Sequence, residues 1–226
     1  MKAIVIGASG GIGAALCDGL ESRGAAVIRL SRSSAPPIDL ESDPSIEQAA
    51  ATLASQGPFD LIFVASGILH GAGVAPEKTY RQLDGATLEQ VLRINTIGPA
   101  LVARHFLPLL RTDGRAIFAA LSARVGSIGD NRLGGWLSYR ASKAALNQII
   151  KTLAIELARI RPETICVALH PGTVDSALSA PFQRGLADGQ LLTPAVSATH
   201  LLDTLDRLDP TDSGGCFDYR GERIIP

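Results

Sequence analysis

The chain has almost no net charge, few cysteines and no long apolar run, and each shortage closes off a class of function. Over 226 residues the formal charge is -1, with 21 Lys and Arg against 22 Asp and Glu. A nucleic-acid surface concentrates positive charge, but Arg104, Arg111, Arg115 and Arg124 are scattered among apolar residues, so no nucleic-acid partner is expected. Cys17, Cys166 and Cys216 lie far apart with no C-x-x-C spacing. That speaks against a disulfide scaffold and against zinc, and a reducing compartment is the simpler assumption. The four histidines show no metal-ligand spacing, and no metal is expected. No apolar stretch approaches the ~20 residues of a membrane span, so no membrane partner is expected. At the N-terminus a short strand runs straight into a glycine turn where a signal peptide would need a longer apolar core, and a cytoplasmic location is expected. No shift of composition marks a boundary, and the length suits one α/β domain over 1–226.

What is present is concentrated first in Lys2 to Gly13, KAIVIGASGGIG. The apolar run Ala3 to Ile6 is cut off by Gly7, Gly10, Gly11 and Gly13, and a helical pattern begins at Ala14. Glycines where a strand turns into a helix let the backbone approach a ligand, and the helix's first unpaired N–H groups and positive dipole end point at it. A pyrophosphate suits both features. A glycine-rich turn with no ligand is the plain alternative.

Along the chain, strand-like apolar runs alternate with helical patterns, the mark of a parallel sheet built from βαβ units. Strands are expected at Ala26 to Leu30, Ile38 to Leu40, Asp60 to Ala65, Arg115 to Leu121, Thr164 to His170 and near Cys216 to Tyr219. Helices are expected over Ala14 to Ser22, Pro44 to Ser55, Ser138 to Ile160 and Ala195 to Leu208. A further long helix, Leu88 to Leu110, is capped by Thr87 and kinked by Pro99 and Pro108. The fold class is α/β: one doubly wound parallel sheet of about seven strands with helices on both faces.

At the end of the second strand of a dinucleotide fold, an acid accepts from a ribose 2′-hydroxyl, whereas an arginine pairs with a 2′-phosphate. Here Arg29-Leu30-Ser31-Arg32-Ser33 contains no acid. Ser31 and Arg32 therefore favour NADP(H), with NAD(H) possible and a solvated Arg32 as the alternative. Further on, Tyr139-Arg140-Ala141-Ser142-Lys143 sets a phenol and an ammonium four residues apart on one helix face. A nearby cation favours the phenolate and lowers a tyrosine pKa from about 10.

The glycine spacing G-x-x-x-G-x-G, Asn95 in the long helix, a serine after the fifth strand, Tyr139 with Lys143, and Pro171-Gly172 after the sixth strand occur in one order. In that order the chain resembles the short-chain dehydrogenase/reductase family over its whole length. ASGILHG, VGSIGDNRLGGW and FDYRGERIIP are similar to its C-factor-like branch. The resemblance implies a Rossmann-type fold and an NADP(H)-dependent oxidoreductase that interconverts a small-molecule carbonyl and an alcohol. It implies Tyr139 as general acid and base, Lys143 holding the nicotinamide ribose and tuning the phenol, and Asn95 holding a water in a proton relay. It implies cofactor contacts at Gly7, Ser9, Gly10, Gly11, Ile12 and Gly13, at Ser31 and Arg32, at Asp39 and Leu40 beside the adenine, and at Ala65, Ser66 and Gly67. Asn95, Tyr139, Lys143, Pro171, Gly172, Thr173 and Val174 complete that set. The family pairs its long helices across a two-fold axis. Leu92, Leu101, Phe106, Leu146, Ile150 and Leu153 read as surplus apolar surface, so a homodimer or homotetramer is expected.

Three positions depart from the family pattern. Ile6 replaces the usual Thr before the glycine motif, and Val64-Ala65-Ser66-Gly67 replaces Asn-Asn-Ala-Gly. The family's catalytic serine lies three residues before a glycine, and counting back from Gly126 lands on Ala123. Ser122 is expected to serve as the catalytic serine if the strand ends or bulges there, because a one-residue slip in a regular strand turns a side chain to the other face. Ser127, or no serine, remains the alternative.

Candidate pocket walls are Gly67 to Tyr80, Asp130 to Leu137 with Trp136, and Asp175 to Leu191. His70 reads as a loop residue and His170 as a structural strand end. The alternative function is a cofactor-binding regulatory or signalling protein with little turnover.

Overall fold

The computed structural model describes residues 1–71, 73–184 and 189–226. Among these, the strands are β1 (Lys2–Ile6), β2 (Ala26–Leu30), β3 (Leu61–Val64), β4 (Ala116–Leu121), β5 (Thr164–His170), β6 (Thr173–Val174), β7 (Leu191–Leu192) and β8 (Cys216–Asp218). The α-helices are α1 (Gly11–Ser22), α2 (Asp43–Leu53), α3 (Gly85–Leu92), α4 (Gly98–Phe106), α5 (Leu137–Ile160) and α6 (Pro194–Arg207). Six strands form one parallel sheet in the order β2-β1-β3-β4-β5-β8, and β6 pairs with β7 separately.

The sheet is buried on both faces, which is why its strands read as continuous apolar runs. Ile4, Ile62, Phe118 and Cys166 face Ile46 of α2, Phe106 of α4 and Leu146 and Ile150 of α5. Their neighbours Val5, Phe63, Ile117 and Val167 face Leu16 and Leu20 of α1 and Leu201 and Leu205 of α6. Because β1 lies between β2 and β3, the chain winds outward both ways from it, and a crevice opens at the carboxyl ends of β1 and β3.

Three expectations are corrected. Ile38 to Leu40 is an irregular loop, not a strand: β2 is the sheet edge, and Ile38 and Leu40 are instead buried in the loop. Leu40 leans on Gly98, where an added Cβ would come within 2.8 Å of its own Cβ. Next, Leu88 to Leu110 is not one helix. It breaks into α3, a π turn at Arg93–Ile97, α4 and a 3-10 turn at Leu107–Leu109. The Gly98 amide reaches back five residues to Arg93 O, and Pro99 has no N–H to offer the carbonyl four residues before it. The cap of α3 is Asp84, whose carboxylate accepts from Thr87 N at 2.8 Å. Last, the apolar surplus largely disappears. Phe106, Leu146 and Ile150 are buried, and Leu101 and Leu153 pack against the same core.

No helix among the described residues is long and apolar enough to cross a membrane.

Candidate active site

At the crevice, β1 ends at Gly7, which has φ +92°. A Cβ there would lie 2.5 Å from Ser66 Oγ, and one on Gly13 would lie 2.1 Å from Gly7 O. The two glycines thus allow α1 to close tightly on the strand. The turn departs from the family at Ile6, a core residue, and is held by Leu30 O, which accepts from Gly7 N at 2.8 Å and Ala8 N at 3.0 Å. Gly10 caps α1 without a side chain, so the first amides of the helix have no side-chain acceptor and suit a phosphate.

A cleft of about 470 Å³ starts here and is lined by Gly7, Ser9, Gly10, Gly11, Ile12 and Gly13. It continues past Ser31 and Arg32, then Asp39 and Leu40, then Ala65, Ser66 and Gly67, to Leu121, Ser122, Tyr139, Lys143 and Pro171. The two arginines of the β2 end differ. Arg29 gives its guanidinium to Asp18 and Glu21 at 2.6 and 2.7 Å, whereas Arg32 is exposed in the cleft wall and makes no ion pair among the described residues. Asp39 Oδ1 accepts from Glu41 N at 3.0 Å, closing a local turn.

Asn95 is fully buried in the π turn, behind the cleft wall. Its amide clamps the loop after β3: Oδ1 accepts from Ile68 N and Nδ2 donates to Ile68 O, both at 2.8 Å. Nδ2 also reaches Ser142 Oγ on α5 at 3.1 Å. One side chain therefore ties the β3 loop to the helix that carries Tyr139 and Lys143, in a region where the family's other asparagines are missing. Gly67 sits between them, since a Cβ there would be 3.2 Å from Asn95 Oδ1 and 3.5 Å from Lys143 Nζ.

Lys143 Nζ lies 5.7 Å from the Tyr139 ring centre and donates to Leu121 O at 2.9 Å. Burial pushes this ammonium down to about 8, and burial also raises the Tyr139 phenol above its ordinary value. The expected lowering of the phenol by the cation is therefore not seen here. In this site desolvation disfavours the charged form of both groups.

β4 ends at Leu121, so Ser122 stands just past the strand, in the cleft lining. The Ser122 amide still donates to Leu169 O at 2.8 Å, and its hydroxyl donates to Asn147 Oδ1 of α5 at 2.7 Å. Ala123 follows in extended conformation, φ -151° and ψ 147°. Gly126 holds the spacing, because a Cβ there would stand 2.7 Å from Lys143 Cβ. Ser127 is buried, and its hydroxyl accepts from Asp130 N at 3.0 Å.

Of the Pro171 to Val174 segment, Pro171 lines the cleft, while Thr173 and Val174 lead away into β6. Ser197 of α6 donates to Pro171 O at 2.8 Å. Gly172, at φ +78°, has the Tyr219 ring where a Cβ would meet it at 3.0 Å. His170 is mostly buried, with Nδ1 lacking a partner.

Sequence reasoning missed Glu77, a buried carboxylate that accepts from Ser138 N at 3.2 Å and from Ser138 Oγ. It caps α5 one residue before Tyr139, a favourable place for a negative charge. Its backbone O accepts from Trp136 N at 2.5 Å, and Trp136 sits at φ 53°. A left-handed non-glycine residue costs on the order of 1–3 kcal/mol and persists where its surroundings hold it. Sixty-one residues separate Glu77 from Ser138, so no local pattern could have signalled the pair.

A family model described as short chain dehydrogenase matches residues 1–186. The chain belongs to the short-chain dehydrogenase family. It is 34% identical over 178 residues to the C-signal protein of Myxococcus xanthus, covering 78% of this chain and 98% of that one. It is 33% identical over 180 residues to 1-hydroxy-2-glutathionyl-2-methyl-3-butene dehydrogenase of Rhodococcus sp. (strain AD45), covering 79% and 74%. The fold also matches an NADPH-bound carbonyl reductase from chicken fatty liver, with TM-score 0.86 at 24% identity, covering 100% of this chain and 94% of that one. As a short-chain dehydrogenase, the protein is an oxidoreductase of CH–OH and carbonyl groups.

Proposed function

We propose that the protein is an NADPH-dependent carbonyl reductase, or the corresponding alcohol dehydrogenase, with Tyr139 as its general acid and base. One observation carries the reading: a single cleft runs from the open amides of α1, past the unpaired Arg32, to Tyr139 and Lys143. Each part suits one part of NADPH. The glycine turn suits the pyrophosphate, Ser31 and Arg32 the 2′-phosphate, Asp39 and Leu40 the adenine, and Pro171, at the start of the segment that runs on to Val174, the nicotinamide amide. The chicken carbonyl reductase holds NADPH in its crystal structure, in keeping with this choice.

When bound, NADPH supplies the hydride. Tyr139 hydrogen-bonds the substrate oxygen and gives it the phenol proton, which burial keeps on the ring at neutral pH until a developing alkoxide takes it. Lys143 turns from Leu121 O to the ribose, and its charge then stabilises the phenolate. Asn95 holds the β3 loop against α5 and places a relay water. Ser122 lines the same cleft with its hydroxyl on Asn147 Oδ1, so proton transfer is assigned to Tyr139 alone. The chain acts as one domain in the cytoplasm. Self-association belongs to the same reading, with Ile97, Ile155 and Ile160 still exposed on the long helical segments.

The test is loss of NADPH absorbance with a panel of aldehydes and ketones, alongside NADPH binding. Tyr139→Phe should lower turnover by roughly 10²- to 10⁴-fold and leave NADPH affinity nearly unchanged. Ala123 and the similarity to C-signal favour a second reading, a cofactor-binding signalling protein. Tight NADPH binding with no turnover on a broad panel would select it.

A further inference from the structure

Trp136 is the chain's only tryptophan. It is also the one non-glycine residue with positive φ among the described residues. Backbone strain held in place beside a catalytic group is an observation from which a functional role can be inferred. Here the strain is held by the Glu77 carbonyl and by α5, which Glu77 caps. Its product is a fixed indole, edge-on to the Tyr139 ring with centres 6.3 Å apart.

On its other side the indole meets Phe182, with centres 4.9 Å apart, and Phe182 in turn meets His70 at 5.7 Å. His70 Nε2 donates to Ala177 O at 2.8 Å, which fastens this segment to the cleft wall. Trp136 and Phe182 are only partly buried, so ring surface remains for a ligand. The indole borders the cleft at Tyr139, 6.3 Å from that ring's centre, and a substituent on a carbonyl bonded to the Tyr139 hydroxyl could extend toward it.

Charge points the same way. Arg32 and Lys143 are the only cationic side chains among the described residues lining the cleft, and both serve the cofactor. Arg140, one residue from Tyr139, spends its guanidinium on the carbonyls of Gly134, Gly135 and Val125. Among the described residues of the cleft, nothing is left to clamp a substrate carboxylate.

Resting on the reductase reading above, we propose that Trp136, backed by Phe182 and His70, forms an aryl-binding wall that selects flat, uncharged aromatic ketones and aldehydes. Edge-to-face ring packing rewards a planar substituent beyond the area it buries, and an unpaired anion there is penalised.

The test compares acetophenone, cyclohexyl methyl ketone and 4-acetylbenzoate as substrates with NADPH. It also follows quenching of the lone tryptophan by acetophenone in NADP⁺-saturated protein, corrected for ligand absorbance. The expected kcat/KM for acetophenone is about tenfold or more above each of the other two, with saturable quenching. Trp136→Ala should bring the aryl-to-cyclohexyl ratio to within about threefold of one, and Trp136→Phe should restore most of it. Turnover of all three ketones without aryl preference, or a preference that survives Trp136→Ala, overturns the wall and leaves the reductase reading standing. Saturable quenching with no NADPH oxidation keeps the wall and removes the reductase. Neither signal removes both.

Discussion

Ser122 donates its hydroxyl to Asn147 Oδ1 at 2.7 Å, on the face of β4 that α5 covers, and the adjacent Ala123 stands three residues before Gly126. That bond joins α5 to the end of β4, and the position from which the family works carries only a methyl group. Ser122→Ala should therefore cost about threefold or less in kcat/KM but about 1 kcal/mol in stability, from the lost partner of a half-buried amide oxygen. Ala123→Ser should raise kcat. Steady-state kinetics and denaturant unfolding on both variants check this, and a hundredfold loss in Ser122→Ala would show that the hydroxyl turns to the substrate.

Arg32 is predicted to decide the cofactor, because Arg29 is already paired with Asp18 and Glu21. NADPH should bind more tightly than NADH, and Arg32→Ala should erase roughly 1–3 kcal/mol of that difference, as expected for a charge-assisted phosphate contact. Dissociation constants for both cofactors measure it. Equal constants in the unmutated protein would contradict it.

The Lys143 ammonium, held down to about 8 by burial, predicts a pH dependence of cofactor binding. The charged form is the one that can donate to a ribose, and its proton is lost as pH rises. NADPH affinity should be flat below about pH 8 and fall by about tenfold per pH unit above it. Lys143→Gln should weaken binding and remove the inflection. Calorimetric titration between pH 6 and 10 reads the effect, and a flat profile in the unmutated protein would count against it.

His170 predicts acid sensitivity. Burial pushes its imidazole from 6.5 down to about 4 in the folded chain. Between those values the unfolded chain binds the proton and the folded chain does not, so stability falls as pH drops from about 6.5 to about 4. The full loss is about 3 kcal/mol at one histidine. Chemical denaturation across that range, compared with His170→Gln, should show a flatter profile in the variant; identical profiles would refute the assignment.

The strand-to-helix glycine turn, the α/β alternation and the pairing of Tyr139 with Lys143 were legible in the order of residues alone. Each is a local matter: backbone freedom at Gly7 and Gly13, apolar runs between helical patterns, and a four-residue helical spacing. Whatever depended on residues distant in the chain was set by folding. Ile38 and Leu40 look like a strand, but β2 is the sheet edge, so their apolar side chains are buried without a ladder. The apolar residues of the long helices look like an interface, but most of them pack on the sheet. The side to which Ser122 turns depends on β4 staying in register with β5 through Leu169. The cap that Glu77 places on α5, and with it the fixed indole beside Tyr139, joins segments brought together only by folding. Local periodicity records how one segment buries itself, and it carries no information about which distant group will satisfy a buried polar atom.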